Sequence, residues 1–126
     1  MLVDECFLEI CKNEKEYTVK PFIEKYEHLI ILKSFTKLYA IPGVRLGYIL
    51  AGSEEVIERV NRAGQAWSVS HIAQCAGVAA LADNIYKEKV IDTVAEELAY
   101  MKKEFYNLPV FCMMEQQLSV SGHRKL

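Results

Sequence analysis

The sequence predicts an α/β fold, and three observations carry that prediction. Short apolar runs near residues 2–8, 28–33 and 44–51 bear strand signals, and helical patterns near 54–64, 71–82 and 85–106 follow them. The run from His28 to Leu32 is apolar on both faces, as strands in the middle of a parallel sheet are. The 126 residues are 52% hydrophobic with a formal net charge of −2, which fits one globular domain and excludes a fully disordered chain.

The elements follow in order. Leu2-Val3-Asp4-Glu5-Cys6-Phe7-Leu8-Glu9-Ile10 partly alternates and predicts a short strand running into a loop. Pro21 to His28 predicts a short helix, with Pro21 suited to its first turn. Strand, helix and strand then make a βαβ unit. Lys33 to Pro42 has no helical period, and Val44 to Ala51 predicts a further strand closed by Gly52. Ser53 is placed to cap the next helix, with Glu54 and Glu55 in the first turn, where the helix dipole favours acid. Ser70 is placed to cap an alanine-rich helix through Ala82. Ile85, Val90, Ile91, Val94, Leu98, Met101 and Phe105 keep a helical spacing over a length of about 30 Å. Pro109 is expected to stop that helix, Val110 to Met114 to open one more strand, and Ser119 to Leu126 to form a polar, mobile tail.

Composition narrows the function classes. The 15 basic and 17 acidic side chains argue against general nucleic-acid binding, which shows a basic face. The longest apolar stretches, Leu29 to Leu32 and Ala76 to Ala82, fall far short of the roughly 20 residues a membrane helix needs. Asp4 and Glu5 follow Met1 closely where a signal peptide has a basic region, so the expected compartment is the cytoplasm. Cysteines at 6, 11, 75 and 112 and histidines at 28, 71 and 123 show no metal-ligand spacing. They predict no metal site and ordinary thiols, some of them in the core.

One segment carries chemistry: Ser34-Phe35-Thr36-Lys37-Leu38-Tyr39-Ala40-Ile41-Pro42-Gly43-Val44-Arg45-Leu46-Gly47-Tyr48. Lys37 follows a buried-type strand, is flanked by the hydroxyls of Ser34 and Thr36, and precedes Arg45. Such a set suits a phosphorylated ligand with an electrophilic carbonyl. A guanidinium offers a planar charged fork to phosphate, hydroxyls add donors, and an amine forms a Schiff base. A polar turn with structural hydroxyls would use the same residues.

That segment resembles, position for position, the lysine signature of the fold-type I, class I/II pyridoxal-phosphate aminotransferases. It is most similar to the branch of histidinol-phosphate aminotransferases and threonine-phosphate decarboxylases, with their Ser-x-Thr-Lys-x-Tyr-x-x-Pro-Gly-x-Arg-x-Gly-Tyr run. Val3-Asp4-Glu5-Cys6-Phe7 resembles the family's strand end before the lysine, and Gln65 to Ser70 resembles its segment leading into the following helix. The likeness covers residues 2 to about 108.

The resemblance implies pyridoxal 5'-phosphate as cofactor and assigns roles. Lys37 would bond the cofactor aldehyde and later move the substrate proton. Asp4 would sit beside the pyridine nitrogen and keep it protonated, because a nearby carboxylate raises the pKa of a cationic group. Ser34, Thr36 and Arg45 would hold the phosphate. Phe7 stands where the family often has a tyrosine that donates to the ring hydroxyl, a bond phenylalanine cannot make. Trp67 reads as a packing residue at a domain junction.

The family likeness also implies that the fold is part of a larger large-domain sheet. Residues 1–84 would be the C-terminal part of the cofactor-binding large domain, 85–108 a long interdomain helix, and 109–126 the start of a small domain or a mobile tail. The strand at 44–51 would run antiparallel to the first two. The substrate would be a small or phosphorylated amino acid, and the chain a homodimer or larger. Transamination is the first expectation. Decarboxylation of a threonine phosphate, and a non-catalytic module that only oligomerises, are the alternatives. The family's glycine-containing phosphate turn and ring-stacking aromatic are expected from a preceding segment. Lacking both, the chain should hold the cofactor weaker by roughly two to four orders of magnitude.

Overall fold

The computed structural model describes residues 1–106. The strand expected at Val110–Met114, its preceding Pro109 and the tail lie outside those residues. The chain divides into two units, Met1–Asp92 and Thr93–Leu126.

The first unit is α/β. Three strands, β1 (Leu2–Asp4), β2 (Ile30–Ser34) and β3 (Gly47–Ala51), form a sheet in the order β1-β2-β3. β1 runs parallel to β2 with Asp4 opposite Leu32, and β3 runs antiparallel with Gly47 opposite Ser34. The helices in chain order are α1 (Glu14–Tyr17), α2 (Phe35–Leu38), α3 (Glu54–Ala63), α4 (His71–Ala82) and α5 (Asn84–Tyr106), the last beginning in this unit. The described part of the second unit is the remainder of α5. Leu29, Ile31, Phe35, Leu38 and Ala73 form the buried core. α4 begins where its sequence requires: the Ser70 hydroxyl accepts from the Ala73 N–H at 3.2 Å. No helix among the described residues is long and apolar enough to cross a membrane.

Several expectations are corrected. The first strand ends at Asp4 rather than near residue 8, because the Asp4 carboxylate takes the Cys6 N–H at 2.9 Å and bends the chain out of the ladder. The helix expected over Pro21–His28 is only a 3-10 turn at Lys20–Phe22. Glu24 to His28 are all exposed, so no apolar stripe repays the ordering of a helix there. The crossover between the parallel strands is built from that turn and α1. The segment read as lacking a helix contains α2, a single turn too short to show a period. β3 starts three residues late, because Pro42–Val44 form a 3-10 turn and Arg45 adopts a left-handed conformation. Of the cysteines, Cys6 is half-buried and Cys11 and Cys75 are exposed; none of these three is a core residue. Trp67 is 97% exposed at φ 61° and packs against nothing in the first unit.

Gly52 closes β3 against the crossover. A Cβ there would collide with the Ile23 carbonyl oxygen, a backbone atom that cannot swing aside. Gly52→Ala is expected to cost about 1–3 kcal/mol, the range for overpacking a filled site. Urea unfolding checks this, and an unchanged midpoint would contradict the close approach.

Candidate functional site

The site grows from the C-terminal ends of β1 and β2. Ser34, the last residue of β2, keeps extended geometry (φ −139°, ψ 131°) and caps α2 by accepting the Thr36 N–H at 3.2 Å. Its hydroxyl also lies 2.7 Å from that of Thr36, so the two hydroxyls form one polar pair. Phe35 and Leu38 are buried, and in a single helical turn this forces Lys37, between them, to the outside. The turn is anchored by the Phe35 N–H, which donates to the Leu46 carbonyl at 3.2 Å. Phe35 also stacks on Tyr39 and meets the edge of Tyr48.

Lys37 extends its ammonium over the Phe7 ring, 4.9 Å from the centroid. Phe7 reaches it because the turn after Asp4 swings the chain across the end of β2; the ring remains 60% exposed. Asp4 is exposed at the end of β1, and donation from the Cys6 thiol and N–H holds its carboxyl below the usual aspartate value. The Cys6 thiol is pushed up to about 11, chiefly by burial and then by Asp4, with Lys37 pulling weakly the other way. Cys6 is therefore a poor nucleophile at neutral pH.

Arg45 occupies the left-handed region (φ 53°, ψ 41°), uncommon for a non-glycine residue. Its guanidinium donates to the Pro42 carbonyl at 3.3 Å. Among the described residues it makes no hydrogen bond to Ser34 or Thr36. The structure thus brings Lys37 to Phe7, Ser34 to Thr36, and Asp4 to the same sheet end, while the Arg45 guanidinium is turned to the Pro42 carbonyl of its own loop.

A second polar group was not anticipated from the sequence. On the other face of the sheet, Glu5 and Lys33 form an ion pair at 2.9 Å with both side chains 3% exposed. Glu14 approaches Lys33 at 3.3 Å, and Glu5 accepts from the Val19 N–H at 2.8 Å and the Thr18 hydroxyl at 2.9 Å. The signal available was a lysine directly continuing the apolar run Leu29 to Leu32.

Chemically, an exposed amine, two hydroxyls and a guanidinium at one end of a sheet suit a phosphorylated ligand with an electrophilic carbonyl. Phe7 offers apolar surface and no donor.

Comparison with known proteins identifies the family. The sequence model of the family described as aminotransferase class I and II matches residues 1–117. The histidinol-phosphate aminotransferase of Caldicellulosiruptor saccharolyticus is 32% identical over 105 residues, covering 83% of this chain and 29% of that protein. The threonine-phosphate decarboxylase of Salmonella typhimurium is 32% identical over 110 residues, covering 87% and 30%. The crystal structure of the histidinol-phosphate aminotransferase from Clostridium acetobutylicum superposes with a TM-score of 0.79 at 24% identity, over 85% of this chain and 32% of that one, and shows the fold. The chain spans less than a third of the length of these relatives.

Proposed function

The chain belongs to the class I and II aminotransferase family, and from that premise we propose that it carries the reactive lysine of an enzyme using pyridoxal phosphate to transfer the amino group of a small or phosphorylated amino acid. The observation that carries this reading is the shared position of Lys37, Asp4 and the Ser34–Thr36 hydroxyl pair at the C-terminal end of β1 and β2. When bound, the cofactor supplies the electron sink that weakens a bond at the substrate Cα.

The chain's own residues do the rest. Lys37 Nζ would hold the cofactor through its aldehyde carbon, and its amine would move the proton at the substrate Cα. Asp4, kept ionised by its Cys6 donors, holds the proton on the ring nitrogen. Ser34 and Thr36 donate to the phosphate. Arg45, which donates to the Pro42 carbonyl, would find a stronger, charged acceptor in that phosphate. Phe7 would offer the cofactor apolar surface and no donor.

Decarboxylation is the second reading, favoured by the threonine-phosphate decarboxylase relative at the same 32% identity as the aminotransferase one. Both relatives are named for phosphorylated compounds, which supports a phosphomonoester on the substrate. The same proposal places residues 1–84 in the large domain, 85–108 in an interdomain helix and 109–126 in a small domain or tail. It places the protein in the cytoplasm as a homodimer or larger. Ile72, Val78, Leu81 and Ile85 are all strongly exposed, and apolar side chains left in water support a covering partner. A stable monomer by sedimentation at high concentration would count against that assembly.

The test is capture. The full chain is titrated with pyridoxal phosphate, reduced with borohydride and mapped by peptide mass. Labelling is expected to concentrate on Lys37, to fall when inorganic phosphate competes, and to be weaker with pyridoxal, which lacks the phosphate. Label spread evenly over the exposed lysines would sink the reading and leave the non-catalytic module in its place.

A further inference from the structure

The buried Glu5–Lys33 pair has no part in the chemistry just described, yet it lies directly behind it. Asp4 and Glu5 are neighbours, as are Lys33 and Ser34. Successive residues of a strand point to opposite faces. Asp4, paired with Leu32, therefore shares a face with Ser34, while Glu5 and Lys33 share the other.

We propose that the Glu5–Lys33 pair is the positioning device of this site, locking β1 against β2 in the one register that brings Asp4 to the end of the sheet where Lys37 emerges. The inference rests on the reading of Lys37 and Asp4 given above for its purpose, though not for its geometry.

β1 needs such a device. It has three ladder residues, and Leu2 and Asp4 are exposed with only Val3 half-buried, so no apolar pattern pins it. A strand with a weak face is prone to slippage, and a slip of one residue exchanges its faces. Here that slip would turn Asp4 inward and Glu5 outward. A slip of two would carry Asp4 roughly 6–7 Å along the sheet. Either would leave Lys33 facing no Glu5 carboxylate, and an ionic group buried without its partner is strongly disfavoured.

The lock has fixed points on every side. The Glu5 N–H donates to the Leu32 carbonyl at 3.0 Å, the last backbone link of the ladder. Its carboxylate then binds Lys33 on β2, and the Thr18 hydroxyl and Val19 N–H on the crossover. Lys33 also binds Glu14 on α1. No buried side-chain nitrogen or oxygen among the described residues is left without a partner. An apolar pair would fill the same space but would not penalise the slipped registers.

The test compares the full chain with Lys33→Arg, Lys33→Met and the double variant Glu5→Gln/Lys33→Met. The double variant leaves no charge stranded in the core, since Glu14 is part-exposed, so it is expected to fold even where Lys33→Met does not. Two readouts report the end of β1: the rate at which iodoacetamide alkylates Cys6, with exposed Cys11 and Cys75 as internal references, and the titration of the Asp4 carboxyl by 13C NMR. In the parent and in Lys33→Arg, Cys6 is expected to lag the reference thiols tenfold or more and Asp4 to titrate below its usual value. In the folded double variant the lag should shrink at least fivefold and the Asp4 midpoint should move up. A double variant that melts cooperatively with the Cys6 lag and the Asp4 midpoint both unchanged would overturn the proposal and leave the pair a purely structural one. Neither readout involves pyridoxal phosphate, so failed capture at Lys37 would sink the functional reading without touching this result.

Discussion

Lys33→Met is expected to destabilise the Met1–Asp92 unit by about 3–5 kcal/mol, the cost of breaking a buried pair and stranding its other half. The lost lysine serves two carboxylates, Glu5 at 2.9 Å and Glu14 at 3.3 Å, and only Glu14 has water nearby to replace it. The penalty should depend on pH. In the parent, burial pushes the Glu5 carboxyl up, but the Val19 N–H, Lys33 and Thr18 together outweigh it and hold the group below the ordinary glutamate value. Its stabilisation is therefore present above about pH 4.3 and is lost as pH falls through the lower folded value. For Lys33, burial pushes the ammonium down, and Glu5 and Glu14 outweigh that to raise it. Its share is present below about pH 10.4 and is lost as pH rises through the raised value. The parent should show a broad plateau between these limits. In Lys33→Met the Glu5 carboxylate has lost its cation, burial dominates, and the group takes up a proton more readily. The variant's deficit should then narrow on acidification toward pH 5. Adding Glu5→Gln should recover most of the loss at pH 7. Urea unfolding at pH 5 and pH 7 measures both effects, and a deficit that is equal at the two values would contradict the assignment.

The features legible in the sequence are those that rest on repetition. α4 spans Ser70's cap to Ala82 as the alanine-rich pattern and the capping serine require, and α5 keeps its periodicity from Asn84 to Tyr106. The parallel β1–β2 pair and the antiparallel β3 also match expectation. The misses occur where single side chains redirect the backbone. Asp4 ends β1 by taking one N–H, and Ser34 starts α2 by taking another. Neither event has a period to detect. Lys33 misleads for a different reason: a charged residue after an apolar run reads as the edge of the core, whereas here it is inside the core, neutralised by Glu5 from a strand nearly thirty residues away. Pairing across that distance is not visible in local composition. The lysine signature located Lys37, Ser34 and Thr36 on one turn, but it carries no information about where the Arg45 side chain rests before a ligand arrives.

Lys37→Ala in the complete protein is expected to lower kcat by roughly 10²–10⁴ or more, the range for removing a group that moves a proton in the rate-determining event. That corresponds to about 3–6 kcal/mol of transition-state stabilisation. Stability should hardly change. Lys37 is exposed and α2 is fixed by its neighbours Phe35 and Leu38. The alanine removes the ammonium from above Phe7, an interaction that at an exposed ring contributes about 0.5–1 kcal/mol. A large activity loss with a nearly constant melting temperature separates this variant from Lys33→Met, whose stability falls. Lys37→Arg sharpens the test. A guanidinium keeps the positive charge over Phe7, so folding should match the parent. It does not give up its proton in the working range, so it cannot hold an aldehyde carbon or move the Cα proton. Activity should therefore stay at the level of the alanine variant, and borohydride-fixed label at position 37 should disappear in both. Should the arginine variant keep even a tenth of the parent kcat, the charge of Lys37 and not its transferable proton would be what the reaction uses, and the role assigned to it would have to be withdrawn.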